Sequence, residues 1–219
     1  MNGIEKRIAF LRTGLDLHLK LGEKMLLAYG GALYPLDILA NAVLKRSMAL
    51  ITGFTSLVEQ RNYVCAAPLL RLQLDNCIRF YGAFIVKNPH EYAERILKGT
   101  PVKKMKDRND KLMHDAHLVE MMSEKYPWVK RVYKESSGFI HLSDKHIFCT
   151  FTEPKEEENS VGICIGATDE NMPEKIWEEV IDAFIEATQV LFAHIQGWII
   201  TKENPQIVAQ YRKDHDITI

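Results

Sequence analysis

NYVCAAPLLRLQLDNCIRFYGAFIVK, residues 62–87, reads as one long helix that is apolar on nearly every side. Val64, Ala67, Leu70, Leu74, Ile78, Tyr81 and Ile85 recur three or four residues apart, the period of a helix face. Leu69, Leu72, Cys77, Phe80 and Phe84 fill much of the remaining circumference. A helix apolar on most sides is buried on most sides. Two charges inside it, Arg71 and Asp75, are four apart and lie one turn from each other on one face. A charge in a buried helix is costly unless it is paired. The pair is therefore expected to be a structural tie to a neighbouring helix or part of a site. In a site, the fork of Arg71 would hold a phosphate or carboxylate and Asp75 would orient it.

Working outward, residues 4–29 carry the stripe Ile4, Ile8, Leu11, Leu15, Leu19 and Leu26, with Gly30 and Gly31 as the stop. Residues 36–60 read as a second helix with Pro35 near its start. Asn88-Pro89 opens a short helix to residue 98, ended by Gly99. A basic segment follows, and a helix is expected to run through it to about residue 125. Pro127 begins another, 128–140. The period then changes: HIFCTFT at 146–152 and VGICI at 161–165, with EPKEEENS between, read as a β-hairpin with a solvated loop. Residues 172–201 form a closing helix. The expected fold is mainly all-α, an antiparallel bundle of about six to seven helices. One domain would span 1–203, with a small β-hairpin insertion at about 146–166 and a polar, loosely ordered C-terminal tail at 204–219.

Composition narrows the function classes. The chain has 219 residues, 47% of them hydrophobic and 26% charged, enough for a sizeable core. A net charge of −1 argues against wholesale wrapping of nucleic acid but leaves room for a local basic patch. The charged N-terminus does not read as a signal peptide and no apolar run has membrane-spanning length, so a cytoplasmic protein with no membrane partner is expected. The four cysteines form no C-x-x-C pair; Cys65 and Cys77 are expected to face the core, and neither a metal nor a cofactor is expected.

Two further constellations bear on chemistry. Tyr133, Ser137, Ile140 and His141 would share one helical face, with Ser137 and His141 a turn apart, building a polar pocket or network. A serine on a regular helix tends to bond back to a carbonyl one turn earlier, which argues against a serine nucleophile. Arg108, Asn109 and His114 lie in a stretch where Lys103, Lys104, Lys106 and Lys111 are opposed by Asp107 and Asp110. His114 and His117, three apart, could share a metal, but no third ligand is evident.

Leu70-Arg71-Leu72-Gln73-Leu74-Asp75 and the later Tyr133, Ser137, Ile140, His141, Ser143 resemble two helical motifs of a bacterial all-helical family, over about residues 40–145. That family is similar to the HEPN superfamily of helical bundles, many of whose members are ribonucleases of toxin–antitoxin and phage-defence systems. The superfamily signature is Arg, four to six residues, then His, often completed across a dimer interface. Arg108-Asn109 and His114 match its spacing but precede the Tyr/Ser/His motif. Lys134 and His141 lie on that motif, but with Lys, a point charge without the bidentate fork, in place of Arg.

The resemblance implies RNA binding, or metal-independent endoribonuclease cleavage, with RNA, a second copy of the chain and a protein partner such as an antitoxin as expected partners. His141 or His114 would be the acid/base. Arg71, Lys134 or Arg108 would hold the phosphate. Ser137, Tyr133, Ser143, Asp75 and Asn109 would position these groups, and Lys103 and Lys104 would line the basic approach. The competing expectation is a non-enzymatic helical interaction or scaffold module whose polar residues are structural. A helical pocket for a small ligand is the third.

Overall fold

The structure, a computed structural model, describes residues 2–151 and 162–214. Its helices are α1 (Gly3–Leu27), α2 (Pro35–Glu59), α3 (Tyr63–Ile85), α4 (Pro89–Leu97), α5 (Asp115–Ser123), α6 (Trp128–Ser137), α7 (Asp144–Phe148), α8 (Glu174–Glu203) and α9 (Pro205–Asp214). The protein is an all-α bundle. Helix starts follow local chemistry. At α1 the Asn2 side chain accepts from the Glu5 amide while the Glu5 carboxylate accepts from the Asn2 amide, a reciprocal capping box. Its end is a left-handed turn through Tyr29, Gly30 and Gly31, so the paired glycines stop the helix as expected.

Helix α3 is the centre. Among its residues only Cys65 is exposed, which overturns the expectation that this cysteine faces the core; Cys77 does face it. The N-terminus of α3 is capped twice. Asn62 accepts from the Cys65 amide at 3.0 Å, and Asp169, distant in sequence, accepts from the Tyr63 amide at 2.6 Å and the Val64 amide at 3.1 Å. Pro68 lies inside the helix rather than at its start. Near the other end, a Cβ on Gly82 would stand 2.5 Å from the Tyr92 hydroxyl; only glycine lets α4 approach this closely.

Helices α1, α2, α3 and α8 form a four-membered ring around the main core, with α4, α5 and α6 packed outside α3 or α2. The bundle is not antiparallel throughout. Arg7 at the start of α1 pairs with Glu178 and Asp182 at the start of α8, and Lys202 at the end of α8 reaches the Met25 carbonyl at the end of α1. Likewise Tyr63 packs on Trp177 and Phe84 on His194. So α8 runs parallel to α1 and α3, because the chain between α3 and α8 is long enough to return to the starting end as a crossover.

Four other expectations give way. No helix runs through 103–114: a 3-10 turn at Val102–Lys104 and an isolated bridge between Lys106 and Leu112 occupy it. Asp107 holds that loop by accepting from the Asn109 and Lys111 amides and from buried His117. Helix α6 stops at Ser137, not 140. The hairpin is not formed among the described residues. Asp144–Phe148 is a short helix capped by Ser143, and a single bridge joins Phe151 to Ile163; the expected loop at 152–161 lies outside the described residues. Helical order also extends over 205–214, where a loose tail is expected from sequence. No described helix is long and apolar enough to cross a membrane.

The bundle's far end is locked by a buried charge pair that sequence reading does not anticipate. Lys202 donates to Asp37 at 2.9 Å and both side chains are fully buried; Trp198 and the Tyr34 amide also donate to Asp37. Lys202→Ala strands that carboxylate and is expected to lower the unfolding free energy by about 3–5 kcal/mol. Urea denaturation checks this, and the double variant with Asp37→Ala should lose less than the two single losses combined.

Candidate functional site

The polar face of α3 carries a third charge, Arg79, four residues beyond Asp75, and a continuous hydrogen-bond network grows from these three side chains. Arg71 donates from Nε to Ser137 Oγ at 3.3 Å and from Nη2 to the Tyr133 hydroxyl. Its guanidinium also lies over the Tyr133 ring, 3.7 Å from the centroid. Its charge partner is not Asp75 but Asp115 on α5, at 3.6 Å. Tyr133 in turn donates to Asp115 at 3.1 Å. Asp115 accepts from Arg79 at 2.7 Å, and Arg79 donates to Asp75 at 2.9 Å. Asp75 accepts from Arg46 of α2 at 3.1 Å.

From there the network turns inward. Arg46 donates to Asn76, Asn76 to Gln73, and Gln73 to both Ser47 of α2 and Thr188 of α8. Ser47 meets His18 Nε2 of α1 at 2.8 Å. Residues of α1, α2, α3, α5, α6 and α8 are thus joined. Gln73, Asn76, Ser47, Thr188 and His18 are all buried, where an unmade hydrogen bond is expensive. The outer charges are half-buried: Arg71 retains 13% side-chain exposure and Asp115 39%.

The electrostatics fit a satisfied lattice. Burial pushes the Tyr133 hydroxyl up; Arg71 opposes this and Asp115 adds to it, so Tyr133 stays a protonated donor. Burial works against the charge of Arg79, but Asp75 and Asp115 outweigh it and hold the guanidinium protonated. Three arginines share two carboxylates here, a single excess positive charge.

The sequence-derived candidates divide sharply. Arg71, Asp75, Tyr133 and Ser137 belong to the network, and Ser137 bonds back to the Tyr133 carbonyl at 2.6 Å, as a helical serine does. His141 does not join them. With α6 ending at Ser137, His141 falls in the following turn, exposed and without a described partner, so the expected hydroxyl–imidazole pair with Ser137 does not form. Ser143 caps α7 and donates to the Gly138 carbonyl. Lys134 is exposed.

Arg108 and His114 are on no common helix. Arg108 turns back to donate to the carbonyls of Phe84 and Ile85, closing the C-terminus of α3. His114 sits exposed at the N-cap of α5. Asn109, Lys103 and Lys104 are exposed around that loop. The rings of His114 and His117 are 6.2 Å apart, His117 is held by Asp107, and no group of three or more potential metal ligands occurs among the described residues.

Sequence reasoning missed Asp115, Arg79, Arg46 and the inner amides and hydroxyls. The four-residue spacing of Arg71, Asp75 and Arg79 was the available signal for Arg79; nothing local marks Ser47 or Thr188 as partners. The chain matches no family model, no curated protein and no solved structure.

Two buried imidazoles, His18 in the network and His194 outside it, give the fold a pH dependence. Burial lowers the His18 pKa, against the Gly14 carbonyl that accepts from or faces its ring. Burial also lowers His194, with Lys125 adding to it and the Val190 carbonyl opposing. The unfolded chain takes up protons near the ordinary histidine value of 6.5 that the folded chain refuses. The stability is therefore complete above that pH and is lost as pH falls from it through the depressed folded values. Thermal unfolding scanned downward from pH 7 is expected to show a falling Tm, and His18→Gln a shallower fall than wild type.

Proposed function

We propose that this chain is a non-enzymatic helical binding module whose Arg71-centred network is structural. One observation carries this reading: Nε and Nη2 of Arg71 are engaged with Ser137, Tyr133 and Asp115, while His141 stands outside the network in solvent. Transferring a proton in RNA cleavage requires an imidazole within reach of the cation-bound phosphate. The second Arg–His pair is equally separated in role, since Arg108 closes α3. The four cysteines are free thiols, which suits a reducing compartment such as the cytoplasm.

RNA binding without cleavage is a second reading, favoured by one feature. Lys103, Lys104, Lys106 and Lys111 are exposed on one loop region without described ion-pair partners, a local patch that phosphates would neutralise. In that reading a homodimer would double the patch, and a protein partner of antitoxin type would cover it.

The test is incubation of purified protein with total RNA in EDTA, beside unfolding of Arg71→Ala and His141→Ala. No cleavage is expected. Arg71→Ala should lose about 2–4 kcal/mol, since it strands partly buried partners, and His141→Ala less than about 0.5 kcal/mol, as an exposed site. Cleavage by wild type that His141→Ala abolishes while still folded would overturn the reading.

A further inference from the structure

Helices α6 and α8 both pack on α3, and residues of all three line a groove of about 650 Å³. That volume falls within the range of small-molecule sites. The floor is apolar: Ala67 and Leu70 come from α3, Val132 from α6, and Ile176, Val180 and Ala183 from α8. Phe148 of α7 and Cys149 just after it add to the lining.

The rim is charged and unbalanced. Among the described residues it carries four carboxylates, Glu135, Glu179, Asp182 and Glu186, against two cations, Arg131 and Lys145. Two of the carboxylates are already engaged: Glu135 with Arg131 at 3.4 Å and Asp182 with Arg7 at 2.7 Å. Glu179 and Glu186 have no described partner and stand two turns apart on the same side of α8. Tyr63, which lines the groove, registers the same field: burial first, and then Cys149, Glu179, Glu135 and Asp169, push its hydroxyl well up. An apolar floor below a rim with spare negative charge selects against fatty acids and other anions. It complements a tail that ends in a cation.

We propose that the α3/α6/α8 groove binds a small amphiphile bearing one positive charge, an alkyl- or arylamine. Its apolar body lies over Leu70, Val180 and Ala183 and its ammonium group sits between Glu179 and Glu186. This deepens the binding-module reading and rests on it. The two fail separately, since RNA cleavage would overturn that reading without altering an amine titration.

The test is calorimetric titration of the full chain with n-decylamine, n-decanoate and n-decanol, each below its micelle-forming concentration. The amine is expected to bind at least about tenfold more tightly than the carboxylate. Glu179→Gln with Glu186→Gln, both at exposed positions, should weaken the amine about tenfold and leave decanol unchanged. Ala183→Trp, which fills the groove, should weaken all binding, with its melting curve confirming the fold. Failure of the amine to bind, equal binding of amine and carboxylate, or amine binding indifferent to the Glu179/Glu186 double change would each overturn the proposal.

Discussion

Helix α3 is walled in by α2, α4, α5, α6 and α8, and a helix so enclosed can send none of its polar side chains fully into water. That constraint organises the molecule. Arg71, Gln73, Asp75, Asn76 and Arg79 must find partners on other helices, and the partners they find fix the rotation of each neighbour about α3. Asp115 sets α5, Tyr133 and Ser137 set α6, Arg46 and Ser47 set α2, Thr188 sets α8, and His18 follows from Ser47. Hydrophobic burial supplies the bulk of the driving force but is non-directional. In this bundle the network supplies register, a use of buried polarity with precedent in helical assemblies.

The same constraint separates the two histidine-containing motifs from their apparent cations. Arg71 lies deep enough that Tyr133, Ser137 and Asp115 are its nearest available partners, while the helix that would have carried His141 over it ends one turn too early. Arg108 has a different duty, because α3 ends with carbonyls that need donors and its guanidinium is the group that reaches them. Arg108 and His114 have the spacing of the catalytic signature, and Lys134 and His141 have it with Lys in place of Arg; in the structure Arg108 is turned to the carbonyls that end α3, and Lys134 and His141 are both exposed. The groove on the opposite flank of α6 is where the enclosure of α3 is incomplete, and there the floor is apolar and the rim carries unspent charge.

Much of the fold was legible in the sequence because it is written in helix period and punctuation. The extents of α1, α2, α3, α4 and α8 follow from apolar stripes bounded by Gly30-Gly31, Pro35, Asn88-Pro89 and Pro173. The direction of α8 was not legible, since its stripe is the same read either way and only the length of the crossover decides it. Residues 103–114 look helical by composition, but Asp107 and His117 bind the segment into a loop through contacts that no local pattern reveals. The start of the β-prone run at 146–152 was drawn into a short helix, Asp144–Phe148, by the Ser143 cap. Of the candidate site, Arg71, Tyr133 and Ser137 were found because spacing placed each on a polar face of its own helix. Asp115 and Arg46 were not, because their importance comes only from where α5 and α2 pass α3.

The central claim is that the Arg71 cluster holds helices together, and a double-mutant cycle on Arg71→Met and Tyr133→Phe tests it most directly. Measured by urea denaturation, the account predicts a favourable coupling of about 1–2 kcal/mol between the two side chains. Additive losses, with no coupling, would mean that the contact contributes nothing to the fold and would contradict the account.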